Sequence, residues 1–239
     1  LQVQKDSDPS FTRTYSWTID KAVQPGELFL FDGDGATVAY SVTVTKSEPV
    51  DSNWFVFGKI TVTNPSPLVA TINGIADQLS GSLHAPVNCN GATTVNPNAT
   101  LVCSYAVNTP DGANRLNSAI VTQTLRGGSS TIYTGTADVD FGKARLTTVG
   151  DSINVTDTNV VDTWPFSQTG SATYSLPLDC AAVAYDGLVG FKTVPNTAFI
   201  KETGDSDSEV VQVNCYKLAV TKDATPSYAR SFNWTIDKG

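Results

Sequence analysis

Along residues 11–21 every second side chain is large: Phe11, Arg13, Tyr15, Trp17 and Ile19 alternate with Thr12, Thr14, Ser16, Thr18 and Asp20. A period of two places the first set on one side of an extended chain and the second on the other. The same pattern recurs at 37–45, where Val38, Tyr40, Val42 and Val44 alternate with small polar residues. It continues in Trp54, Val56, Ile60 and Val62, in Leu101, Cys103, Tyr105 and Val107, and in Ala137, Val139 and Phe141. No stretch has helical spacing. Turn chemistry punctuates the chain at "DGDG" (32–35), "NPSP" (64–67), "NPN" (96–98), "TPDG" (109–112), "RGGSS" (126–130) and "TGDSDS" (203–208). Half-buried strands with hydroxyl-coated outer faces bury their apolar sides by packing two antiparallel sheets, so the pattern predicts an all-β sandwich architecture.

The chain also repeats itself. Residues 1–22, "LQVQKDSDPSFTRTYSWTIDKA", align without a gap on 218–239, "LAVTKDATPSYARSFNWTIDKG", at an offset of 217, with twelve positions identical. The tail residues Leu218, Val220, Arg230, Phe232, Trp234 and Ile236 stand where Leu1, Val3, Arg13, Tyr15, Trp17 and Ile19 stand, and Tyr228 stands for Phe11. This predicts one structural period followed by the first strand of an adjoining copy, an inter-unit strand that completes its neighbour. A weaker repeat relates 117–144 to 196–218, matching Asn117, Ala119, Val139 and Lys143 to Asn196, Ala198, Val213 and Lys217. It predicts a first sandwich over 1–142, a second over 143–217 and the opening strand of the next repeat over 218–239. No Pro- or Gly-rich linker intervenes, which predicts a stiff junction.

Bulk properties exclude several classes. With 239 residues the chain accommodates one or two domains, and methionine is absent even at position 1, as expected for a mature or excised piece. A net charge of −8 and no basic cluster argue against nucleic acid as a partner. No apolar run approaches the roughly 20 residues that span a bilayer. Cys89, Cys103, Cys180 and Cys215 form no CxxC pair, and His84 is the single histidine. That argues against zinc and for two disulfides in an oxidising compartment. Of the three pairings open to four cysteines, Cys89–Cys103 and Cys180–Cys215 are expected because each staples one domain.

Catalytic and metal chemistry find few residues here. His84, next to a proline, lies in no nucleophile motif, and no enzyme activity or cofactor is expected. "FDGDGA" (31–36) and "TGDSDSE" (203–209) read as turns rather than as calcium loops. Asn98, Asn154 and Asn233 head N-x-S/T sequons and are candidate glycan acceptors.

The strands "TYSWTIDKA", "VTVTK", "ITVTNPSP", "APVNC", "LVCSY", "INVTDT" and "VQVNCY" with "LAVTKDA" resemble bacterial extracellular tandem-repeat surface and fibre proteins. Those are built from Ig-like (prealbumin-like) β-sandwich repeats. The resemblance implies two Ig-like antiparallel β-sandwich domains in tandem, an extracellular or cell-surface location, and identical repeat units as partners. It implies a filament or stalk role and supplies no catalytic site. Some prealbumin-like pilus domains carry a Lys–Asn isopeptide staple, for which Lys21 or Lys59 could supply the amine. The alternative reading is an adhesin recognising glycan or a host or biofilm surface through 157–170, with Trp164 and Phe166, or 181–195, with Tyr185.

Overall fold

A computed structural model describes residues 1–239. The alternating segments are strands, and the sole helical element is one 3-10 turn over Phe141–Lys143. In chain order the strands begin with β1 (Gln2–Lys5), β2 (Asp8–Thr14), β3 (Trp17–Gln24), β4 (Glu27–Phe31), β5 (Gly35–Lys46), β6 (Val50–Thr63) and β7 (Ala70–Leu79). Next come β8 (Leu83–Ala85), β9 (Val87–Asn88), β10 (Thr94–Val95), β11 (Thr100–Asn108), β12 (Arg115–Thr124) and β13 (Ser130–Val139). After the 3-10 turn follow β14 (Arg145–Val149), β15 (Ile153–Asp157), β16 (Thr163–Phe166) and β17 (Gly170–Asp179). The last are β18 (Tyr185–Asp186), β19 (Val189–Ile200) and β20 (Ser206–Tyr216). No helix is long and apolar enough to cross a membrane.

Contacts divide the chain into two units. Unit 1 holds Leu1–Thr18, Val44–Asn154 and Pro165–Gly170; unit 2 holds Ile19–Thr43, Val155–Trp164 and Ser171–Gly239. The boundary predicted near Gly142 therefore lies elsewhere. Residues 19–43 leave the first domain as drawn from sequence and join the second. In return β14, expected to open the second domain, belongs to unit 1. The reason is long-range pairing: β14 runs parallel to β2, Arg145 opposite Ser10 and Val149 opposite Thr14. The segment 1–22 is also not one strand but three, β1, β2 and most of β3, interrupted at residues 6–7 and 15–16.

In unit 1 one sheet has the order β14-β2-β6-β11-β9, with β1 also on β6, and the other has β10-β7-β12-β13, with β8 on β7. Their facing sides share a core of Val56, Ile60, Val62, Leu79, Tyr105 and Val121, all buried. In unit 2 the sheet β16-β15-β19-β20-β4, with β18 on β19, accompanies a three-stranded sheet β17-β5-β3. Leu28, Val38, Tyr40, Val211 and Val213 form its core. Most pairs are antiparallel, as the alternation predicts. Parallel pairs include β2 with β14 and β4 with β20. A parallel pair needs a long crossover, and both span more than a hundred residues of chain.

Cys89 is bonded to Cys103 and Cys180 to Cys215, so each unit holds one disulfide and no thiol is free. Cys103, Cys180 and Cys215 are buried in their cores. In the chain-entropy description a cross-link stabilises by restricting the unfolded chain, and more so for a longer loop. Replacing Cys180 and Cys215 together by Ala is expected to cost about 3–4 kcal/mol, and Cys89 with Cys103 roughly 0.8 kcal/mol less. Chemical denaturation of the two double variants, compared at equal slope, measures both.

Candidate functional site

The second copy of the repeat occupies the C-terminal segment. Its residues 218–239 are in no strand and exposed along their whole length. Val220 is 93%, Trp234 90% and Ile236 95% exposed, whereas the matching Trp17 is 5% exposed. Leu218, Tyr228, Phe232 and Arg230 are exposed as well.

The N-terminal copy is fully engaged. Leu1, Val3 and Phe11 pack against the unit 1 core. Phe11 stacks on Trp54 with ring centres 4.5 Å apart, and Trp54 meets Phe141 edge-on at 5.1 Å. Arg13 makes a bidentate ion pair with Asp51, Nε at 2.7 Å and Nη2 at 2.8 Å, which holds the Asp51 carboxyl below the usual carboxylate range. Lys46 lies 4.0 Å from the centre of the Tyr15 ring. The Trp17 indole N–H donates to the Gly150 carbonyl at 2.7 Å. Ile19 is half-buried.

Two further lysines of this segment turn inward, one in each unit. Lys5 is in phase with Leu1 and Val3, and its Nζ donates to Asp77 Oδ2 at 2.7 Å with both side chains at 0% exposure. It lies 3.3 Å from the centre of the Tyr105 ring. Burial is the leading influence on both charges: it lowers the Lys5 pKa and raises that of Asp77. Asn117, also 0% exposed, lies beside Asp77 and Tyr105, near enough to favour the ionised form of each. None of those contacts reaches hydrogen-bond geometry, and both polar atoms of the Asn117 carboxamide are without a partner.

Unit 2 repeats the arrangement. Lys21, in phase with Trp17 and Ile19, donates to Asp157 Oδ2 at 2.5 Å and to the Tyr174 hydroxyl at 2.6 Å. Both Lys21 and Asp157 side chains are at 0% exposure. Tyr174 donates to Asp157 at 2.7 Å and accepts from Asn196 Nδ2 at 2.8 Å, and Asn196 is fully buried. Lys21 Nζ lies 4.8 Å from the Tyr40 ring centre and 5.0 Å from that of Tyr174.

The correspondence extends to register. Asp77 is paired with Ala119, two residues beyond Asn117; Asp157 is paired with Ala198, two residues beyond Asn196. Lysine and tyrosine come from one sheet, and aspartate and asparagine from neighbouring strands of the other. The sequence repeat matches Asn117 with Asn196, and Lys21 is a candidate amine on the resemblance, but nothing in residue order connects them with Lys5, Asp77, Asp157 or Tyr174. Lys59, the other lysine considered, is exposed.

His84 is exposed on β8, and no three His, Cys, Asp or Glu side chains gather as a metal site. The acidic segments 31–36 and 203–209 each hold the turn between two strands, with Gly33 and Gly204 at φ +94° and +79°, where a residue without Cβ is unstrained. Asn98 and Asn233 are exposed and Asn154 is half-buried. Of the aromatics considered for adhesion, Trp164 stacks on Tyr174 at 5.5 Å and Phe166 is half-buried. Tyr185 donates to Asp32 and has Lys217 over its ring. These side chains are thus occupied within the fold.

No protein-family model matches the chain, and no curated protein sequence is significantly similar to it.

Proposed function

We propose that the chain is a structural repeat of an extracellular filament or cell-surface stalk, in which 218–239 forms with the next unit the contacts that 1–22 forms with this one. The observation that carries the reading is the contrast between two copies of one sequence: Trp17 buried and hydrogen-bonded, Trp234 at 90% exposure. Docked in the same register, Tyr228 would stack on the neighbour's Trp54, Arg230 would pair with its Asp51 and Trp234 would cap its Gly150 carbonyl. Each fully buried aromatic or aliphatic side chain contributes about 1.5–3 kcal/mol, so the segment has ample surface to hold a neighbour. The neighbour is either continuous in the same polypeptide or a separate subunit that accepts the segment by strand addition. The disulfides support an oxidising location outside the cytoplasm.

A complementation experiment tests this. A chain of residues 23–217, refolded with a peptide of 218–239, is expected to regain cooperative unfolding, as it should with a peptide of 1–22. A 218–239 peptide carrying Trp234→Ala should rescue poorly. If the 1–22 peptide restores the fold and 218–239 does not, the tail is no substitute for the first strand and the proposal fails.

A further inference from the structure

We propose that each unit closes an amide cross-link within itself, Lys5 Nζ to Asn117 Cγ in unit 1 and Lys21 Nζ to Asn196 Cγ in unit 2, with Asp77 and Asp157 carrying the proton. Three chemical requirements must meet for an amine to displace an amide nitrogen: an uncharged amine, a polarised carboxamide, and an acid–base group shared by both. Both clusters bring an amine, a carboxamide and a carboxyl group together with their side chains buried.

In unit 1 a lysine, an aspartate and an asparagine are buried together. The carboxamide, with no partner for either polar atom, is otherwise an unexplained cost of about 1–3 kcal/mol. The Asn117 position is therefore poorly accounted for as a structural residue and well accounted for as a reactant. Burial pushes Lys5 and Asp77 toward their neutral forms, NH2 beside COOH, which are the forms the reaction needs. In unit 2 the Tyr174 hydroxyl bridges Asp157 and Asn196, holding acid and amide against the same amine.

The step balances without a co-reactant. Protonated Asp77 donates to the Asn117 carbonyl oxygen while the free electron pair of Lys5 Nζ attacks Cγ. The carboxylate so formed takes a proton from Nζ and passes it to Nδ2. The Cγ–Nδ2 bond breaks, ammonia leaves, and an Nζ–Cγ amide remains with Asp77 protonated again. In unit 2 the same exchange of Nζ for Nδ2 would join Lys21 to Asn196, whose carbonyl oxygen accepts from the Thr158 hydroxyl at 3.2 Å and whose Nδ2 donates to Tyr174. Recurrence of the constellation in both units, in the same register, argues against coincidence. Lys5 and Lys21 each come from the segment 1–22, so one short stretch would be covalently tied into each unit.

Intact mass of the purified 239-residue chain decides the matter, and it needs no variant to fold. After allowance for the disulfides, the mass should fall short of the sequence value by about 34 Da, two ammonia molecules of about 17 Da each. Proteolysis after reduction should yield branched peptides joining Lys5 to Asn117 and Lys21 to Asn196. Lys222 and Lys238, in nearly identical local sequence but exposed, should stay unmodified and serve as internal controls. Asn117→Ala and Asn196→Ala should each restore about 17 Da, and Asp77→Asn, close in shape but unable to carry the proton, should block the unit 1 bond. A mass explained by the disulfides alone overturns the proposal. So does a deficit of about 18 Da per bond with the branch at Asp77 or Asp157, which would make the aspartate the acceptor.

Discussion

Asp77→Ala is expected to destabilise unit 1 by about 3–5 kcal/mol, because it prevents the proposed cross-link and leaves the buried Lys5 amine without its hydrogen-bond partner. For a unit of this size that corresponds to a fall of roughly 10 °C or more in its melting temperature. The magnitude comes from the asymmetry of buried polar pairs: a matched pair costs little, but removing one partner leaves the other unpaired where nothing can solvate it. The companion result follows. Lys5→Met combined with Asp77→Leu, which like the single variant forms no cross-link, should be the more stable of the two, since two apolar side chains of similar volume need no hydration. Thermal unfolding of both proteins checks it. Equal instability of the single and double variants would mean that the site is sensitive to shape rather than to charge.

The second large effect compares one residue type in two identical pentapeptides. Trp17→Ala should cost about 3–5 kcal/mol, the usual penalty for emptying a buried tryptophan site. Trp234→Ala, in the same "WTIDK" context, should change the stability of the 239-residue chain by no more than about 0.5 kcal/mol. Local sequence is held constant, so the difference isolates tertiary burial. In a chain extended by a second repeat, Trp234 should acquire the full penalty. If it does not, the tail keeps its exposed state with a neighbour present, contrary to the proposed docking.

Much of this architecture could be read from residue order, because strand formation and burial are periodic and local. The inward rows Val38–Val44 and Val56–Val62 are buried as the alternation requires, and the turns fall where glycine, asparagine and proline cluster. What escaped the reading was non-local or out of phase. The pairing of β14 with β2 joins residues more than a hundred apart, and nothing within "RLTTV" says which unit it completes. Asp77 was hidden by a change of phase within its strand. Ala70 and Ile72 are buried at even positions, but Asp77 and Leu79 at odd ones, across a register shift opposite Thr122 and Gln123. Constant alternation would turn Asp77 to solvent. Asp157 is in phase with Ile153 and Val155, yet an acid at a strand end reads as the start of a turn. Lys5 and Lys21 had the clearest mark, charged residues on the apolar parity of a strand. Such a residue needs a buried partner.

The parallel pairing of β2 with β14 has a mechanical consequence. For force applied at the N-terminal end of β2 and the C-terminal end of β14, those ends lie at opposite extremes of the contact because the pair is parallel. The backbone hydrogen bonds between Ser10–Thr14 and Arg145–Val149 are then sheared together instead of being peeled open one after another. A contact loaded in that direction holds until the whole patch gives way.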